Sequence, residues 1–547
     1  MQHYLKKFTQ YLPLIVAWLL ILNVFGFDLF TNHTVFLLDY VPTPIRVWDR
    51  SYYASIPRIW MAHDGLLFIL WYIWWSKAYL LSIVVITLLL WYHRWQYIAT
   101  KYHEPDSTSN LNYLPILGMI VMVFNPVFSS RMGTQPWVWL GIVLLGWGLY
   151  RLICFRDQLT TKHSIIVWLF WWSAMMSMNH ASFMILVCLL ILVLVLRSLR
   201  AIGSVLIIGW VVWLLNLNWI IWWLIWTNQV IQWATTFSQA NIEEFMTYGQ
   251  SWLWPVVTSA LWYGFRWEKY GSAFAPTWSN PRWWVAWVIL LLLVWYGWWI
   301  LYRHHARQAI YLWVVMIISL ILWVGIASDR LAPLIQRLYD HVPWYRGLRE
   351  PHKRIWLYIM IAIPLMLLWY RSSMRYIVPH LSSAWYVILV VLIMFAWSPG
   401  SVHQLMSRYN MTDYPSSYSQ TRDFLIDQWW SGQRIQLPWH SYHQCQRNNK
   451  TISNSLSTYM YPASVTVSDN IEVWQLYSNS TNPRSRAIEQ WIATKDISYF
   501  SGYNIQWVIY LSQCADFNNY KWITTYSWVS QIADYKDVQI YRIKSNQ

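Results

Sequence analysis

RWWVAWVILLLLVWYGWWILYRHHARQAIYLWVVMIISLILWVGIA, residues 282–327, is two apolar runs divided by a short cationic turn. The hydrocarbon core of a bilayer holds no water for backbone N–H and C=O groups, so an apolar run crosses it as a helix of roughly 20 residues. Runs 282–302 and 309–327 each approach that length, and Arg303 and Arg307 between them mark a return through water. The stretch therefore predicts two passes with a basic turn.

The same pattern extends outward in both directions. Further spans are expected at 11–26, 78–92, 112–127, 136–154, 163–178, 181–196, 201–222, 356–370 and 383–398, about eleven in all. Run 65–75 is too short to span and reads as re-entrant or interfacial. Lys6 and Lys7 precede the first run, and no small-residue cleavage site follows it, so it reads as a span rather than a removed signal. Alternate loops carry Arg94 and Lys101, Arg156 and Lys162, Arg197 and Arg200, Arg303 and Arg307, and Arg371 and Arg375. Lys/Arg-rich loops stay cytoplasmic. This predicts a multi-pass plasma-membrane protein with a cytoplasmic N-terminus and the region after residue 400 outside.

Composition agrees. The chain has 547 residues, 57% hydrophobic and only 11% charged, against roughly 25% charged in soluble domains. Some of the 47 Trp suit the headgroup belts. Others, such as Trp71, Trp74, Trp75, Trp171 and Trp172, lie mid-run and are assigned to helix packing. No Walker loop, GxGxxG, HExxH or CxxC pattern is present, so nucleotide-fuelled pumping by this chain alone is not expected. The basic residues lie in loops between spans, which argues against a nucleic-acid partner.

Residues 1–400 form the membrane domain and 401–547 a polar tail. The tail holds 12 Lys/Arg and 10 Asp/Glu, so only +2 of the net +16 belongs to it. Val465-Thr466-Val467, Trp507–Tyr510 and Val538–Tyr541 read as strands and Ser485–Thr494 as a helix, giving a small α/β domain. Cys445 and Cys514 could form a disulfide if the tail is outside. Cys154 and Cys188 read as inert packing residues.

The outer loops, 27–64, 128–135, 223–281 and 328–355, carry more cations than orientation requires. Arg46, Arg131, Arg349, Lys353 and Arg354 are among them. They serve either headgroup contact or a pocket for an anionic, lipid-linked substrate, because guanidinium forks match phosphate oxygens. Glu350 sits in the densest cluster, Leu348–Arg354, where it neutralises one neighbour. In the first outer loop Asp39 ends an apolar patch before Pro42-Thr-Pro44. A carboxylate there could take a proton from a hydroxyl or simply form a turn. Asp28, Asp49 and Asp64 are rivals. His180, between two spans, reads as an interface histidine in a supporting role.

Four stretches carry a likeness. They are Phe36-Leu-Leu-Asp39-Tyr-Val-Pro-Thr-Pro44, the turn Asn125-Pro126 to Arg131 and Gln135, Asn218-Trp219 with Trp262-Tyr-Gly-Phe265, and Leu348-Arg349-Glu350-Pro351-His-Lys353. In the tail, Leu437-Pro438-Trp439 and Ser468-Asp469-Asn470-Ile471-Glu472 add to it. Through these the chain resembles the GT-C superfamily of multi-pass membrane glycosyltransferases, in its arabinofuranosyltransferase-like and YfhO-like branches. The resemblance implies a polytopic α-helical GT-C-like fold and a polyprenyl-phosphate-linked sugar as donor. It implies a glycan, lipid or protein acceptor, and Asp39 as catalytic base. Arg131, Arg349, Lys353 and Arg354 would then serve the donor phosphate. No cofactor is fixed. A divalent cation is the one candidate, although the family's paired acidic motif is absent, Asp39 being followed by Tyr40 and Val41.

Two other readings share these features. A lipid-linked glycan flippase would have many spans and a basic outer pocket, but such transporters carry internal repeats and polar helix breaks at the midplane, which are not evident here. A non-catalytic scaffold for envelope assembly would be indifferent to Asp39.

Overall fold

The computed structural model describes residues 34–36, 82, 85–94, 113–125, 136–155, 161–177, 180–196, 199–215, 242–243, 246–247, 254–260, 262, 281–342, 345, 353–377, 392, 410–412, 416–428, 432–440, 443–447, 450–454, 465–468, 470–473, 476–478, 482–500 and 503–544. The chain divides into two compact units. One takes in 1–26, 57–63 and 80–407, the other 27–56, 64–79 and 408–547.

The first unit is helical. After the helical stretch 85–94 come α1 (Tyr113–Phe124), α2 (Pro136–Phe155), α3 (Thr161–Ser177), α4 (His180–Leu196), α5 (Leu199–Leu215), α6 (Trp254–Ala260), α7 (Pro281–Val324), α8 (Ala332–His341) and α9 (Ile355–Ile377). Helices α1 to α5, α7 and α9 fall on expected spans. The spans at 11–26 and 383–398 lie outside the described residues, apart from Leu392.

By length and composition the described residues hold one helical run able to cross a bilayer, Pro281–Ala327. It is not one straight rod. His305 has non-helical φ/ψ of −144° and 60°. The Trp298 and Trp313 rings lie 5.2 Å apart, and Trp298 Nε1 donates to Ala309 O at 3.1 Å. Fifteen residues of straight helix would separate those two tryptophans by roughly 22 Å. The run therefore folds back as a hairpin whose turn is the expected cationic segment, and residues 302–307 there are exposed. Large apolar side chains also face outward, among them Leu206, Ile207, Trp210, Val285, Leu292 and Trp295. That pattern suits helices bathed in lipid rather than water.

Indoles stitch the bundle. Trp171, buried mid-helix in α3, donates through Nε1 to Leu145 O of α2 at 3.2 Å, and Trp147 donates to Leu90 O at 2.8 Å. Tyr311 of α7 donates to Cys188 O of α4 at 3.1 Å.

One backbone break is met by a residue placed differently by the sequence. Pro364 lies inside α9 and has no N–H, so the carbonyl four residues before it, Met360 O, loses its helical donor. Arg94 supplies the replacement, with Nη2 3.2 Å from Met360 O and Nη1 3.1 Å from Met360 Sδ. Its guanidinium carbon lies 4.3 Å from the Tyr150 ring centre and 4.8 Å from that of Trp91. Arg94 was expected in a cytoplasmic loop. It instead closes a helical stretch with its side chain fully buried, because a freed carbonyl in an apolar interior needs a donor. A Cβ on Gly146 would collide with this guanidinium, and one on Gly297 with the backbone of Leu365.

The second unit is α/β. Strand β1 (Thr34–Phe36) pairs antiparallel with β2 (Asn410–Thr412). Helix α10 (Ser416–Asp427) leads to β3 (Gln433–Leu437), the hairpin β4 (His443–Arg447) and β5 (Lys450–Asn454), and β6 (Val465–Thr466). The hairpin β7 (Ile471–Val473) and β8 (Leu476–Ser478), α11 (Pro483–Thr494), β9 (Ile505–Leu511), β10 (Val529–Asp534) and β11 (Val538–Ile543) complete it. The expected strands and helix of the tail are all present, β9, β11 and α11 with wider bounds and β6 one residue shorter than expected.

The central sheet has order β10-β11-β9-β3-β6, with β3 parallel to both β6 and β9. Alternation sorts its faces. Ile435, Leu437, Val508, Tyr510 and Tyr541 pack with Ile488 and Trp491 of α11 and with the 3-10 segment Phe517–Thr525. Ile509, Leu511 and Val538 pack on the other side with Tyr418 and Leu425 of α10. Arg434, buried mid-strand, donates through Nη2 to Leu425 O and Gln428 O at the end of α10, where carbonyls lack helical partners. Cys445 and Cys514 form a disulfide across 69 residues of sequence. In the chain-entropy account, closing such a loop contributes about 4 kcal/mol.

Candidate functional site

Asp39, Arg46, Arg131, Arg349 and Glu350 lie outside the described residues. Three expected site residues fall within them. His180 opens α4. Lys353 and Arg354 immediately precede α9, and both are buried.

Arg354 shows how the start of α9 is built. Its Nη1 donates to Tyr345 Oη at 2.7 Å and to Leu322 O at 3.0 Å, near the end of α7. The guanidinium faces the Tyr345 ring at 4.7 Å and that of Phe183 at 5.8 Å. Ser319 Oγ donates to the Arg354 carbonyl. Around this lie Leu322, Ile335 and Tyr339, the last two on the inward face of amphipathic α8. Residues from 183 to 354 are thus gathered around the start of α9. Arg354 is turned into this aromatic box. A buried cation held by a tyrosine hydroxyl and a carbonyl fixes the entry to α9. Sequence reasoning did not reach Tyr345, Phe183 or Ser319, since none sits in a charged or motif-like setting.

The tail offers a second set of polar groups. The chain leaves β3 toward β6 on one side and returns through α11 to β9 on the other. In parallel α/β sheets ligands favour the carboxyl ends of strands at such a reversal. At that end Glu489 Oε1 accepts from Asn470 Nδ2 at 2.5 Å and from Trp439 Nε1 at 3.4 Å. This joins the two tail stretches that carried the likeness, Leu437–Trp439 and Ser468–Glu472. His440 Nε2 lies 3.5 Å from Asp516 Oδ2, between the exits of β3 and β9. Behind them, buried Gln436 and His443 meet at 2.5 Å through their Nε2 atoms. These groups could hold hydroxyl-rich ligands through carboxylate and amide contacts.

His443 has a measurable consequence. Burial, and then neighbouring His440, push its pKa down to about 3. An unfolded histidine titrates near 6.5. Between those values the unfolded state binds a proton that the folded state refuses, so stability falls as pH drops below about 6.5 and levels off near 3. The slope is at most about 1.4 kcal/mol per pH unit. The protection factors of β3 and β9 amides in the intact protein, exchange rates corrected for the intrinsic pH dependence of amide exchange, are expected to fall between pH 6.5 and 4.5. His443→Gln should flatten that response; an equal response in the variant would refute the assignment.

No family model matches the chain, and no curated protein matches it in sequence. Solved structures do. The mycobacterial arabinofuranosyltransferase AftD, determined by single-particle cryo-EM, superposes with a TM-score of 0.62 at 13% identity, over 98% of this chain and 40% of that one. A mutant form of the same enzyme gives 0.58 at 12%, over 98% and 42%. The chain therefore spans about two fifths of the length of the enzyme it matches. The likeness is one of fold alone. It falls on the arabinofuranosyltransferase-like side of the resemblance; the YfhO-like side gains no support from it.

Proposed function

We propose that this protein is a membrane glycosyltransferase that moves a sugar from a polyprenyl-phosphate donor to a hydroxyl of a glycan, lipid or protein on the extracytoplasmic side. The observation that carries the reading is the likeness to an arabinofuranosyltransferase over 98% of the chain.

In the reaction the bond between the sugar's anomeric carbon and the phosphate oxygen breaks, and a bond to the acceptor oxygen forms. Asp39 takes the proton from the acceptor hydroxyl. Arg131, Arg349 and Lys353 stabilise the departing polyprenyl phosphate, where preorganised positive charge acts most strongly. Arg354 holds the start of α9, and with it the segment bearing Arg349 and Lys353. Glu350, Arg46 and His180 are supporting residues, and the carboxyl edge of the tail sheet orients the acceptor. The disulfide Cys445–Cys514 supports an outside location for the tail, since disulfides persist in oxidising compartments.

The test uses membranes carrying the full chain and a polyprenyl-phosphate-linked arabinofuranose labelled in the sugar. Asp39→Asn is expected to lower transfer by 10²–10⁴-fold, the usual contribution of a general base, with the protein still in the membrane. Undiminished transfer would remove Asp39 from the mechanism. No transfer by the parent chain from this donor or from other polyprenyl-phosphate sugars would favour a scaffold.

A further inference from the structure

A strand from near the start of the chain, β1, pairs with a strand that opens the tail, β2, in the register Thr34↔Thr412, Val35↔Met411 and Phe36↔Asn410. Both strands belong to the second unit, and both lie beside β5. Strand β5 pairs with β4 along its whole length. Strand β4 is tied to the exit of β9 by the Cys445–Cys514 bond, by Gln446 N–H donating to Gln513 O at 2.9 Å and by Ala515 N–H donating to Gln444 O at 2.6 Å. Bonds thus run from the five-stranded sheet to β5, and β5 in turn lies against the β1–β2 ladder that ends at Phe36.

Asp39 follows Phe36 by three residues, a contour of at most about 11 Å. We propose that the β1–β2 ladder is a positioning device, through which the tail sets the register of the first outer loop and so the placement of Asp39. This rests on the reading of Asp39 as the base. A three-residue ladder is too small to be stable by itself, so the sheet behind it supplies the rigidity. A slip of one residue would move the loop by about 3.3 Å and turn its side chains to the other face. Displacements near 1 Å already lower rates about 10²-fold. The ladder also requires the loop and the tail to share one side of the bilayer, because strand pairing does not cross it.

Two variants test this in the full chain in membranes, with the labelled arabinofuranose donor. Val35→Cys with Met411→Cys is expected to cross-link on oxidation, detected by the fragments staying joined after cleavage at a protease site inserted between the two units. Transfer should then equal that of the parent. Met411→Pro, which removes a ladder N–H and bends the strand, is expected to lower kcat at least tenfold with the donor KM within twofold of the parent. Protection of the tail from limited proteolysis at the parental level shows that it has folded. If Met411→Pro loses that protection, the cross-linked variant decides alone. Absence of the cross-link, loss of transfer on cross-linking, or a folded Met411→Pro protein with parental kcat would each overturn the proposal. Asp39→Asn separates the two ideas. Full activity there removes the base assignment, whereas an inactive Asp39→Asn beside a fully active Met411→Pro removes only the positioning role.

Discussion

Gly297→Val is expected to prevent assembly of the helical unit. Helix α9 packs along α7, and a Cβ at Gly297 would fall against the carbonyl oxygen, carbonyl carbon and Cα of Leu365. All three are backbone atoms, so no side chain can rotate away, and the helices must separate. Small residues permit such approach between helices in a membrane. Overpacking ordinarily costs 1–3 kcal/mol, and a clash with backbone lies at or above the top of that range, about 3 kcal/mol or more. Gly297→Ala should show a smaller loss of the same kind. Gly203 in α5 is the control, since a Cβ there meets nothing within 4 Å. Gly203→Ala should be neutral or slightly stabilising, as alanine favours helix by up to about 1 kcal/mol. The measurement is the yield and thermal midpoint of monodisperse protein in mild detergent. A Gly297→Val protein that melts with the parent would contradict the observed approach of α7 to α9.

Arg94→Leu should be nearly as severe, and Pro364→Ala should repair part of the damage. Leucine removes the donor to Met360 O and the cation between Trp91 and Tyr150. An unsatisfied buried carbonyl costs about 1–3 kcal/mol, and a desolvated cation–π contact about 2 kcal/mol. Together these predict a loss of about 3–5 kcal/mol. Alanine at 364 restores the N–H that α9 lacks, so Met360 O regains a helical donor in the double variant. A double-mutant cycle in detergent unfolding should then show coupling of about 1–3 kcal/mol. Strict additivity would mean that Arg94 does not serve the carbonyl freed by Pro364. Arg94→Lys should rescue poorly, because one ammonium cannot reproduce a planar guanidinium lying against two rings while bonding a carbonyl.

The spans were legible because their cause is local. Runs such as 163–178 and 181–196 are apolar without interruption by charge, and the helices that form, α3 and α4, begin and end within a residue or two of the expectation. The turn at 303–307 was equally plain, since charge between two apolar runs leaves one geometry. In the tail, the alternation in Trp507–Tyr510 and Val538–Tyr541 marked two adjacent sheet strands, β9 and β11. The site was less legible. Arg94 and Arg354 look alike in sequence to any loop cation, yet one serves a carbonyl 266 positions away and the other a tyrosine and a helix end. Nothing near Thr34-Val-Phe36 suggests a partner strand, because its partner lies at the start of the tail.

The sequence by itself determined where the long apolar helices and the basic turn between the two arms of α7 lie, and that residues 401–547 carry an α/β domain, since hydropathy and alternation act over neighbouring residues. Only the tertiary structure decided which cations are turned into the protein, where α7 folds back and approaches α9, and that the first loop is laced to the tail. Those outcomes depend on backbone groups and surfaces far apart in the chain, whose need for a partner appears only when the helices and strands are packed.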